Sequence, residues 1–193
     1  MATGSFFFVV GPSGAGKDSL MDGARSQLDP ARFIFAKRAI TRPASSGGEV
    51  HQACTQAEFT LLEQQGKFLI TWQAHNLSYG LPDTLLDALA TGQHVIANGS
   101  RAMVAQLSTR VPNLFVVEIG APPEILAQRL SQRGRESAAD VAKRLTRKTE
   151  SYPVGTRVLR VTNDQTPAIG ISRFLATLAT QLGQTPEPLG SLY

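Results

Sequence analysis

The sequence predicts an α/β domain, a parallel sheet with helices on both faces. Two observations carry that expectation. Runs rich in branched and aromatic residues, "SFFFVV", "RFIFAK", "FLITWQ", "HVIANG", "LFVVEI" and "RVLRVT", are mostly separated by helix-length segments, the alternation of a helix-covered parallel sheet. The first of these runs leads directly into "GPSGAGK" and then into the helical "DSLMDGARSQL". A chain of 193 residues, 42% hydrophobic, is long enough for one substantial core and short for two independent domains.

Taken in order, "FFFVV" lacks a basic leader and a small-residue cleavage site, so it reads as a buried first strand. The pattern loosens between Lys37 and Pro82, where "TRPASSGGEVHQACT" reads as loop and "FLITWQ" as a strand returning nearby. Helix starts are marked by Thr55 with Glu58 and by Ser137 with Asp140, both at capping-box spacing, and by Thr166 followed by Pro167. Pro123 to Tyr152 reads as helix, Arg-rich turn, helix, and "GQTPEPLGSLY" as a loosely held tail. No segment approaches the ~20 apolar residues of a membrane span.

The formal charge is +4, yet only 18% of residues are charged, so the chain is not broadly basic. Nine of the nineteen Lys and Arg residues fall between Arg129 and Arg160, a clustering that suits a polyphosphate ligand. A nucleic-acid binder would need a basic face with aromatic platforms, and no such stripe is present. The single cysteine, Cys54, excludes an internal disulfide and any multi-cysteine metal site, and fits a reducing compartment, the cytoplasm by default. His51 and His75 are too widely spaced to suggest a metal pair.

Gly11, Gly14, Gly16 and Lys17 fit the G-x-x-x-x-G-K phosphate loop, in its proper place between an apolar strand and a helix. Such glycines let backbone N–H groups converge on phosphate oxygens, the helix N-terminus adds partial positive charge, and the lysine reaches the β and γ phosphates. The ATP-binding stretch is therefore Gly11, Pro12, Ser13, Gly14, Ala15, Gly16, Lys17, Asp18 and Ser19. Asp18 stands where the loop usually has a hydroxyl. A carboxylate suits Mg²⁺, a hard, oxygen-seeking cation, so Asp18 and Ser19 are the metal candidates; simple complementation of the helix dipole is the alternative for Asp18. No strand ends in an evident Walker-B aspartate, since "HVIANG" stops at Asn98.

With "GPSGAGKDSL", "ITRPASSGGEVHQACTQAEF", "GKFLITWQAHNLSYGLP", "HVIANGSRA" and "RLSQRGRESAADVAKRL", the chain resembles the guanylate kinase group of P-loop kinases over roughly residues 5 to 165. The resemblance implies one kinase domain over 1–193, with a core of 1–36, 83–122 and 153–182, an acceptor-binding insert at 37–82, an Arg-rich lid at 123–152 and the tail at 183–193. It implies that Arg42 and Tyr79 hold the acceptor's phosphate, and that lid arginines Arg129, Arg133 and Arg144 act with Lys17 at the transferring phosphoryl, with Arg135 a further lid candidate.

The departures are informative. A second acceptor arginine is replaced by Ser45, and an extra residue precedes Glu49. The positions that read guanine carry Ile70 and Leu81, and an aspartate becomes Asn98. Guanine recognition requires buried hydrogen-bond partners, which Ile70 and Leu81 cannot supply. That pattern resembles the ribose 1,5-bisphosphate phosphokinases of bacterial phosphonate utilisation. It implies transfer of the ATP γ-phosphoryl to ribose 1,5-bisphosphate, giving 5-phosphoribosyl 1-diphosphate and ADP, with Mg²⁺ as cofactor. The second sugar phosphate calls for cations beyond Arg42, and Arg38, His51 and Arg101 are the candidates, with Glu49 and Asn98 lining the same site. Expected partners are those two small molecules, neither nucleic acid nor membrane, with a homodimer left open. A nucleoside monophosphate kinase with a rearranged base pocket is the alternative enzyme. A catalytically inactive interaction module is the alternative of another class, opposed by Lys17 and the loop glycines.

Overall fold

The computed structural model describes residues 3–44, 49–132 and 151–183. A five-stranded sheet has the order β2-β7-β1-β8-β9, built from β1 (Phe6–Val10), β2 (Phe33–Phe35), β7 (His94–Asn98), β8 (Leu114–Gly120) and β9 (Val158–Thr162). β7 runs parallel to both of its neighbours, with Phe6 opposite Val95 on one side and Phe33 opposite His94 on the other. Every residue of β1 is buried, and Phe7 stacks on Phe115 with centroids 5.5 Å apart. Burying one such ring is worth roughly 1.5–3 kcal/mol. Strand propensity spans only ~1 kcal/mol, so packing decides that "FFFVV" is the central strand.

α1 (Lys17–Arg25) follows β1, burying Leu20, Met21 and Ala24 along one stripe. It packs on α6 (Pro167–Gln181), which starts as expected with Thr166 as N-cap and Pro167 in the first turn. α3 (Leu85–Ala90) packs against β7, α4 (Val104–Ser108) follows β7 in the chain, and α5 (Pro123–Gln132) follows β8. No described helix is long and apolar enough to cross a membrane.

Between β2 and α3 lies a second, four-stranded sheet of order β4-β3-β6-β5, formed by β3 (Ala39–Ile40), β4 (Gln52–Ala53), β5 (Phe68–Ala74) and β6 (Leu77–Pro82), with α2 (Gln56–Gln64) between β4 and β5. The stretch expected as loop thus contributes the two-residue β4, parallel to β3. β5 and β6 form a hairpin whose two turn residues, His75 and Asn76, have φ of 52° and 59°, the double left-handed turn that matches strand twist. Thr55 and Glu58 form the expected capping box at the start of α2. Ser137 and Asp140, the other expected capping pair, lie outside the described residues.

The chain divides into two compact units. One comprises Met1–Val9, Leu28–Val116 and Tyr152–Arg157 and contains the four-stranded sheet; the other comprises Val10–Gln27, Val117–Ser151 and Val158–Tyr193 and contains the phosphate loop, α1, α5 and α6.

Candidate active site

In the second unit the loop from Gly11 to Gly16 connects β1 to α1. Gly16 is the N-cap of α1 with φ 87°, and a Cβ there would lie 2.4 Å from the side-chain nitrogen of Asn163. Gly11 is closed to other residues as well, since a Cβ would meet the Ile119 carbonyl at 2.2 Å. Only glycine satisfies both backbone shape and space at these two points. Lys17 folds back over the loop, its Nζ donating to the carbonyls of Gly11 at 2.9 Å and Pro12 at 3.2 Å. Its ammonium is therefore held above the loop by the loop's own backbone.

Asp18 and Ser19 are exposed in the first turn of α1, where no side chain caps the helix at Gly16. A carboxylate and a hydroxyl are both hard oxygen donors, so Asp18 and Ser19 would suit a Mg²⁺ ion held together with nucleotide phosphates. Among the described residues no group of three or more His, Cys, Asp or Glu could hold a metal by itself.

Arg129, on α5, donates through Nη1 to the carbonyl of Asn163 at 3.1 Å and of Gly14 at 3.4 Å. Asn163, buried at the end of β9, donates its amide to the Ala15 carbonyl at 2.8 Å. Next to it, the hydrogen bond from Arg173 holds the Asp164 carboxyl below its usual range, with desolvation opposing and the charges of Arg173 and Arg129 assisting. Arg133, Arg135 and Arg144 lie outside the described residues.

In the first unit the insert gathers Arg38, Arg42, Glu49, His51 and Tyr79. Arg38 forms a forked ion pair with Glu49, Nε lying 3.1 and 3.2 Å from the two carboxylate oxygens and Nη2 closer still to Oε1. Its guanidinium sits 5.1 Å from the Tyr79 ring centroid and 5.6 Å from that of Trp72, and those two rings stack nearly parallel. Trp72 is buried, and one of its ring contacts is this cation. His51 is buried; its Nε2 donates to the Arg42 carbonyl at 3.0 Å, and its Nδ1 accepts from Arg42 Nη2 at 3.3 Å while also lying 3.0 Å from the Glu49 carbonyl. Arg42 Nε is buried with no hydrogen-bond partner among the described residues. Arg42 also borders a cleft of about 410 Å³ lined by Thr41, Pro43 and residues 53–56 and 58. There burial, then Glu58, pushes the Cys54 thiol up.

Ile70 and Leu81 face each other across the β5–β6 hairpin, both buried and both without a polar side-chain group. Asn98 is buried at the end of β7. Arg101 lies just beyond it in a 3-10 turn, where its Nε donates to the Tyr152 hydroxyl at 3.1 Å. Two participants escaped sequence reasoning. Asn163 had a signal in "TND" directly after a strand, and Tyr152 had none beyond its aromaticity.

No family profile matches the chain. It is 50% identical to ribose 1,5-bisphosphate phosphokinase PhnN of Agrobacterium fabrum over 140 residues, covering 72% of this chain and 76% of that protein. The chain belongs to the ribose 1,5-bisphosphate phosphokinase family. A bifunctional ribose 1,5-bisphosphokinase-thymidine phosphorylase of Azorhizobium caulinodans is 57% identical over 94% of this chain, which spans only 26% of that relative's length. The guanylate kinase of Anaplasma phagocytophilum superposes with a TM-score of 0.66 at 16% identity, over 98% of this chain and 92% of that one, and so shares the fold. This member of the ribose 1,5-bisphosphate phosphokinase family therefore has the guanylate kinase architecture.

Proposed function

We propose that the chain transfers the terminal phosphoryl of ATP to the 1-phosphate of ribose 1,5-bisphosphate. The bond between the γ-phosphorus and the oxygen bridging to ADP breaks. A new P–O bond forms to a 1-phosphate oxygen, and the products are 5-phosphoribosyl 1-diphosphate and ADP. The relatives' names supply the acceptor. The observation in this molecule that carries the reading is the Arg42 Nε, buried and without a hydrogen-bond partner among the described residues. Buried donors are nearly always satisfied, and an acceptor phosphate is the anion that would satisfy this one.

The acceptor is already anionic near neutral pH, so the reaction needs alignment and charge screening rather than a strong base. Lys17, with the loop from Gly11 to Ser19, binds the triphosphate. Arg129, Arg133 and Arg144 are assigned to the charge developing on the transferring phosphoryl. Asp18 and Ser19 would hold Mg²⁺, which screens the phosphate charges when bound. Arg42 and Tyr79 hold one phosphate of the acceptor, and His51, with both ring nitrogens engaged at Arg42 and Glu49, braces Arg42. Arg38 is engaged by Glu49, which supports a role for that pair as a fixed wall of the site. Asn98 and Arg101 are the remaining candidates for the second phosphate.

An acceptor screen with labelled ATP, offering ribose 1,5-bisphosphate, GMP, AMP and gluconate side by side, tests the proposal. Ribose 1,5-bisphosphate is expected to give the highest kcat/KM; GMP turnover at an equal or higher value would overturn it.

A further inference from the structure

We infer that Asn163 is a positioning residue that sets the direction of the phosphate loop's backbone, a role that rests on the loop's use for nucleotide phosphates. In a trans peptide the carbonyl and the following N–H point to opposite sides. Asn163 captures the Ala15 carbonyl with its side-chain amide at 2.8 Å, so the Gly16 N–H is turned away from Asn163. Loops of this kind bind anions through N–H direction, so a group that fixes a carbonyl in the loop acts on binding without touching the ligand.

The strut is rigid because its own backbone is over-determined. Asn163 N donates to the Gly120 carbonyl at 2.7 Å, tying it to the end of β8. Arg173 on α6 pins the residues on either side, donating to the Thr162 carbonyl at 2.8 Å and to Asp164 Oδ1 at 2.6 Å. The Asn163 carbonyl accepts from Arg129, whose same nitrogen reaches the Gly14 carbonyl. Two consecutive loop carbonyls are thus held by side chains, and the Arg129 side chain is itself tied to the Asn163 backbone. Room for the amide is made on both sides. A Cβ on Gly16 would lie 2.4 Å from its nitrogen, and one on Gly170 would lie 2.5 Å from its oxygen. Asn163 is 5% exposed, too buried for water to replace the bond readily.

Asn163→Asp keeps the shape, removes the donor and sets a carboxylate oxygen against the Ala15 carbonyl. Calorimetric titration with ADP and Mg²⁺ on the purified chain is the test, with thermal melting run in parallel. The expected result is that Asn163→Asp weakens ADP by about tenfold or more, the effect of unpairing one buried acceptor, while Asn163→Ser, which retains a donor on a shorter arm, falls between it and wild type. A folded Asn163→Asp that binds ADP as tightly as wild type would overturn the inference. If Asn163→Asp does not fold, Asn163→Ser decides: weakened ADP at a near-normal melting temperature supports the strut, and wild-type affinity overturns it. Failure of the wild type to use ribose 1,5-bisphosphate would sink the proposed acceptor and leave the ADP titration fully interpretable.

Discussion

His94, the first residue of β7, shows how a single side chain couples the core to pH. Its Nδ1 accepts a hydrogen bond from the Ser5 amide at 3.0 Å, so the neutral ring carries its proton on Nε2. Burial, assisted by the charge of Arg32, lowers its pKa from the ordinary 6.5. A folded state that takes up the proton less readily than the unfolded chain is favoured above the unfolded pKa. That contribution is lost as pH falls from 6.5 toward the lower folded value. The melting temperature should therefore drop on acidification from about pH 7 to 5.5, and His94→Gln should flatten that part of the profile even if it melts lower throughout. An unchanged slope in the variant would assign the pH dependence elsewhere. Asp18 is tested by metal dependence. Gly16 is the N-cap of α1 and Asp18 stands in its first turn beside Lys17, where a carboxylate suits either the helix dipole or a metal at the phosphates. Asp18→Ala should raise the Mg²⁺ concentration needed for half-maximal rate, with partial rescue by Mn²⁺. Superimposable normalised curves, with only a lower melting temperature, would instead give Asp18 to the helix dipole. At this scale the sequence disclosed the loop because its glycines answer to backbone shape. It did not disclose that Arg38 would be tied up by Glu49, since a contact across eleven residues and two rings has no signature in spacing.

Elements were legible where one physical cause dominates. β1, β7 and β8 are strongly apolar runs whose burial outweighs every local preference, and the starts of α2 and α6 are written as cap residues. The Thr55 hydroxyl accepts from the Glu58 amide at 3.2 Å, while the Glu58 carboxylate accepts from the Thr55 amide at 2.7 Å and from its hydroxyl at 2.9 Å; the two donations to the carboxylate hold it low. Thr55→Ala should lower the melting temperature by roughly 2–4 °C, the usual cost of a lost N-cap in a chain of this size. No change on calorimetric scanning would mean that packing of Phe59 alone holds α2. The short strands were not legible. β3 and β4 have two residues each, too few to show alternation, and they exist because β6 offers an edge to β3. β6 itself was hidden because "LSYGLP" contains Gly and Pro; only the His75–Asn76 turn, with both residues left-handed, explains why it folds back on β5.

For the whole molecule, fold class and family followed from the order of motifs, because a phosphate loop on the first strand leaves few architectures open. The division into two compact units was not written in the sequence, since their boundaries fall within β1 and β8. The central claim is that a guanylate kinase architecture has exchanged a base-reading site for one that holds a phosphorylated sugar. The buried apolar pair of Ile70 and Leu81 and the Arg42 Nε, which has no hydrogen-bond partner among the described residues, point the same way. The most direct measurement is ³¹P NMR of the chain incubated with ATP, Mg²⁺ and equal amounts of ribose 1,5-bisphosphate and GMP. The account predicts that the sugar 1-phosphate signal is replaced by a coupled diphosphate pair while its 5-phosphate remains a monoester and GMP is unchanged. Conversion of GMP to GDP with the sugar phosphates left intact would contradict it.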